Sequence, residues 1–141
     1  MRINHQRILC ALALAPVLLL GSVSALRAQN GAWTSSASAN WSATANWLGG
    51  VAANGAGNTA YFTNTYSAVP TITLDTARSI GNLTFGNVSG YLGNNVTISG
   101  SQKLTLDNSG NTPVITCWPL KSAGNSACAI ICPLSGTLGL T

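Results

Sequence analysis

The chain has 141 residues, room for one ordinary domain, and a formal net charge of +4 from six Lys/Arg against two Asp/Glu. Half of that basic charge (Arg2, Arg7 and Arg27) sits at the N-terminus. From Gln29 onward Arg78, Lys103 and Lys121 face Asp75 and Asp107, a balance of about +1 that leaves no basic stripe for phosphates and excludes a nucleic-acid partner. Glutamate is absent, and Gly, Ser, Thr and Asn make up 55 of the 113 residues from Gln29, which excludes a helical fold and points to an all-β chain of short strands and tight turns.

In chain order, Arg2 and Arg7 precede an uncharged apolar run, Ile8–Leu20, followed by small residues at Gly21, Ser22, Ser24 and Ala25. This is the pattern of a secretory signal peptide, too short for a comfortable membrane span. Residues 1–28 are read as the signal, with cleavage after Ala28 favoured over Ala25, so the mature chain is expected to be secreted or surface-exposed with no membrane span of its own.

Residues 29–57 form a Trp/Gly/Asn-rich segment with weak periodicity that says "ANW" twice, ending at Trp41 and Trp47. From 58 to 141 the pattern changes to short period-2 runs bounded by Gly, Asn or Asp. They are "AGNTAYF" (Ala56–Phe62), "TITL" (Thr71–Leu74), "NLTF" (Asn82–Phe85), "NVTIS" (Asn95–Ser99), "KLTL" (Lys103–Leu106) and "PVIT" (Pro113–Thr116). Leu83 and Phe85 recur as Leu104 and Leu106 twenty-one residues later, and Val96 and Ile98 meet Val114 eighteen on. A repeat of about 20 residues with several strands per turn predicts a right-handed parallel β-helix. The alternative is a β-sandwich, which usually has longer strands and a clearer core than two or three apolar side chains per strand provide.

The ordered series "NWSATANWLGG" (Asn40–Gly50), "NGAGNTAYF" (Asn54–Phe62), "ITLDTARSIGNLTFGNVSGY" (Ile72–Tyr91), "LTLDNSG" (Leu104–Gly110) and "PLSGTLGLT" (Pro133–Thr141) resembles the N-terminal passenger region of autotransporter-associated β-strand repeat proteins, large bacterial surface or secreted proteins. The resemblance implies a β-helical passenger with a structural or adhesive role. The sequence departs from the family at Asn58, where an acidic residue is usual, and over Cys117–Cys132, where cysteine and "WP" are foreign. The family's further repeats and its C-terminal barrel or anchor do not follow, so the chain is expected to be a truncated passenger.

Candidate chemistry is sparse. Asp75 and Asp107 are the only carboxylates, each in a "TLD" that ends a strand, and they fit turn capping rather than paired acid–base catalysis. The lone histidine, His5, lies in the signal, so no Ser-His-Asp set is available, and enzyme activity and a cofactor are not expected. Arg78 is read as making a local surface contact. Cys117, Cys128 and Cys132 lack a fourth ligand for zinc, so no metal is expected; incidental thiols or one disulfide is the expectation, with Cys117 free to pair with either of the others. Were "CAIIC" a continuous strand, Cys128 and Cys132 would lie about 13 Å apart, beyond bridging distance without a turn.

The even spacing of Trp33, Trp41 and Trp47 could present indoles on one face as a sugar-binding platform. The competing expectation is a plug that covers the apolar end of the first solenoid turn. The leading functional expectation is therefore a non-catalytic structural or adhesin-like solenoid, with a small carbohydrate-binding module as the alternative. Surface polysaccharide, or self-association through sheet edges, is the expected partner.

Overall fold

A computed structural model describes residues 28–86, 96–118 and 128–136. The signal region up to residue 27, the expected turn over 89–95 and the stretches 119–127 and 137–141 lie outside the described residues. The described strands are β1 (Gly31–Ala32), β2 (Ala39–Asn40), β3 (Gly55–Phe62), β4 (Thr71–Thr73) and β5 (Arg78–Phe85), then β6 (Val96–Ser99), β7 (Leu104–Leu106), β8 (Val114–Cys117), β9 (Cys128–Ile130) and β10 (Leu134–Gly136).

These strands sort into two sheets. One has the order β1-β3-β5-β7-β10 with β8 also on β5, and the other the order β2-β4-β6-β9. Every pairing between them is parallel. The chain crosses from one sheet to the other and back on each circuit, laying each strand beside its counterpart of the previous circuit. That is a parallel β-solenoid, and it disposes of the sandwich, whose neighbouring strands would run antiparallel.

Thr, Ile and Leu alternate within each strand because the pleat sends successive side chains to opposite faces. Inward positions stack into columns between circuits: Ala39, Ile72, Ile98 and Ile130 in one sheet, and Ala60, Leu83 and Ile115 in the other. Ile72, Ile98, Ala60 and Leu83 have no exposed surface. The outward positions carry amides and hydroxyls instead, as in the columns Asn40–Thr73–Ser99 and Ser79–Thr105–Ser135.

The register differs from the repeat expected of the sequence. Leu83 pairs with Ile115, and Leu104 and Leu106 pair with Arg78 and Ile80. Val96 and Ile98 pair with Cys128 and Ile130, not with Val114. A circuit is not a fixed 20 residues: it takes 23 from Ala60 to Leu83 and 33 from Ala39 to Ile72. β5 is long enough to seat two later strands end to end, β7 on Arg78–Ile80 and β8 on Asn82–Phe85, so the twenty-one-residue echo does not mark one circuit.

Candidate functional site

The first circuit is where the chain departs from repetition. Thr34 N and Oγ1 both donate to Asn46 O, and an antiparallel bridge joins Trp33 to Trp47, so the segment folds back over the open end of the coil. Short 3-10 turns at Thr44–Asn46 and Leu48–Gly50 carry it round. Trp33 and Trp41 have no exposed surface and Trp47 almost none. Each indole N–H is satisfied by a backbone carbonyl: Trp33 by Ser35 at 2.7 Å, Trp41 by Ala53 at 2.9 Å, Trp47 by Trp41 at 2.7 Å. An indole at a sugar platform would keep one face open to water, and none of these three does.

The rings instead form the top of an aromatic column. Trp47 lies edge-on to Trp33 with centroids 5.3 Å apart and touches Trp41 at 5.1 Å; Trp41 meets Phe62 at 5.7 Å, and Phe62 stacks on Phe85 at 5.1 Å. Phe62 and Phe85 are register partners in adjacent circuits, so the column runs down the coil. Such contacts contribute about 0.5–1.5 kcal/mol each beyond the area they bury. Gly31 makes room for the lid, because a Cβ there would stand 2.6 Å from Ala53 N, 2.8 Å from Val51 O and 2.9 Å from the Trp47 ring.

A cleft of about 250 Å³ with mixed walls is lined by Gln29, Ser42, Thr44, Val51, Ala52 and Asn54 together with Arg78. Arg78, expected at the surface, is buried, and its Nε has no hydrogen-bond partner among the described residues. The alternation explains this: Arg78 begins β5 two residues before inward Ile80 and so points the same way. That spacing is the signal in the sequence that marks Arg78 as an inward residue. Burial lowers the Arg78 pKa and the charge of Asp75 offsets part of that.

Asp75 accepts from both the backbone N–H and the hydroxyl of Ser42, one circuit earlier. Burial pushes its carboxyl upward, but the Ser42 hydrogen bonds, its own backbone and Arg78 together hold it below the usual carboxylate range. Asp75 thus ties the lid to the second circuit as well as meeting its own backbone at the turn. Asp107 does cap locally, accepting from Ser109 N at 3.0 Å, so the two carboxylates serve separate turns. Tyr66, buried and donating to Trp33 O at 3.1 Å, secures the other side of the lid; burial pushes its phenol up to about 12. Asn58 donates to Gly55 O and Ala56 O at the bulge in β3, which an acceptor-only aspartate could not do.

The three cysteines among the described residues are free thiols, with Cys117 exposed, Cys128 half-buried and Cys132 buried. Burial, and then the neighbouring Cys117, push the Cys128 thiol up to about 12, whereas β9 ends at Ile130, before Cys132. Among the described residues no three of His, Cys, Asp or Glu gather into a cluster, and no helix is long and apolar enough to cross a membrane. Comparison of the chain with protein-family models, curated proteins and solved structures finds no match to any of them.

Proposed function

We propose that this chain is a secreted or surface-exposed structural solenoid with an adhesive role, without catalytic activity, of the kind implied by its resemblance to autotransporter-associated passenger regions. The observation that carries this reading is the regular outer face. Columns of Thr, Ser and Asn repeat from circuit to circuit on both sheets, while Trp33, Trp41, Trp47, Phe62 and Phe85 are buried. A surface of that kind engages a repetitive partner such as a surface polysaccharide by many weak hydrogen bonds that add through multivalency. Signal cleavage at Ala28 belongs to the same proposal: among the described residues, backbone hydrogen bonding into the fold begins at Gln29, paired with Asn54.

The test is expression of the full chain in a bacterium, with N-terminal sequencing of the exported product and retention of that product on polysaccharide-coated beads. Export with an N-terminus at Gln29, and retention that rises steeply with coating density, are expected. An uncleaved product confined to the cytoplasm would overturn the secreted reading, and no retention at any density would overturn the adhesive one. A carbohydrate-module reading keeps one supporting feature, the cleft at Arg78 rather than the tryptophans. Arg78 and the side chains of Gln29, Ser42, Thr44 and Asn54 along its wall suit one polar ring. Density-independent binding of a single monosaccharide, weakened by Arg78→Gln, would favour that second reading.

A further inference from the structure

We infer that Cys117 and Cys128 form a disulfide that ties β8 to β9 at one corner of the coil, leaving Cys132 as a thiol. The register places the pair. Cys117 is the last residue of β8 and sits on Phe85, the last residue of β5; Cys128 is the first residue of β9 and sits on Val96, the first of β6. Phe85 and Val96 point into the core without exposed surface, and the alternation continues that inward direction up one circuit to both cysteines. The register therefore sets both side chains on the inward column at the same corner, Cys117 at the end of one strand and Cys128 at the start of the next. Cys132 is separated from this pair: the chain leaves β9 at Ile131, which is largely exposed, and bends to bury Cys132.

The bond would tie together the two sheets where their inward columns end on Ile115 and Ile130, each only half-buried. A small disulfide such as oxidised glutathione supplies the oxidant. Exposed Cys117, as its thiolate, attacks one glutathione sulfur, the glutathione S–S bond breaks and one glutathione thiolate leaves. The Cys128 thiolate then attacks Cys117 Sγ and expels the second glutathione as thiolate. Two protein thiols thereby lose two protons and two electrons, and one glutathione disulfide becomes two thiols. Burial and the Cys117 neighbour raise the Cys128 pKa to about 12, so the second step speeds up with pH.

The experiment equilibrates the full chain with oxidised and reduced glutathione at pH 8, blocks remaining thiols with iodoacetamide and maps tryptic peptides by mass. Cleavage after Lys103 and Lys121 separates Cys117 from Cys128 and Cys132, and fragmentation between the last two assigns the partner. A linked pair joined through Cys128, with Cys132 alkylated, is expected as the main product. A link through Cys132 or Cys10, or glutathione adducts without a protein disulfide, would overturn the inference. The mapping is done on the unmodified chain, so no variant has to fold.

Discussion

At the scale of single residues, the lid is held by polar contacts between circuits as well as by indole packing. Asp75 receives two hydrogen bonds from Ser42, and its carboxyl is held below the usual range even though burial opposes ionisation. A carboxylate depressed in the native state adds stability above its unfolded pKa and gives it up as pH falls through the native value. The urea midpoint of the wild type should therefore drop between pH 7 and pH 3 by more than that of Asp75→Asn. Equal drops in the two would mean that Asp75 contributes nothing through its charge. The pairing of Asp75 with Ser42 was not legible in the sequence, because residues thirty-three apart give no local signal when the circuit length is irregular. The inward aim of Arg78 was legible, since it follows from counting back two positions from Ile80.

At the scale of elements, the strands were the readable part. Five of the six period-2 runs recur as strands within a residue or two, because alternating Thr with Ile, Val or Leu suits a half-buried pleat and little else. The sixth, Asn82–Phe85, is the second half of the longer β5, which Gly81 hid by breaking the alternation. The register was not readable, since Leu-Thr-Leu and Leu-Thr-Phe are alike in pattern and only three-dimensional closure decides which lies on which. One glycine tests the observed stacking. Gly100, directly after β6, has φ +123°, and a Cβ there would stand 2.7 Å from Leu74 O in the neighbouring circuit. Gly100→Ala is expected to destabilise by about 1–3 kcal/mol in denaturant titration. A neutral result would mean the two circuits are not in this contact.

At the scale of the whole molecule, a solenoid gains stability circuit by circuit and has two ends to protect. The first is closed by Trp33, Trp41 and Trp47. Among the described residues the last strands, β8, β9 and β10, each pair on one side only. Ile131 and Val114 are exposed nearby. Strand edges of this kind recruit further strands, so sedimentation velocity should reveal association that grows with protein concentration. A monomer at all concentrations would mean that this edge is covered.

The central claim, that the three tryptophans close the coil from inside and leave the polar faces for binding, is tested most directly by tryptophan fluorescence. The measurement uses a Trp118→Phe variant of the chain, which removes the one partly exposed indole. Blue-shifted emission, resistant to acrylamide and unmoved by polysaccharide, is the result this structure requires. Red-shifted, readily quenched emission that moves when a glycan is added would contradict it and make the repeated "ANW" a binding face.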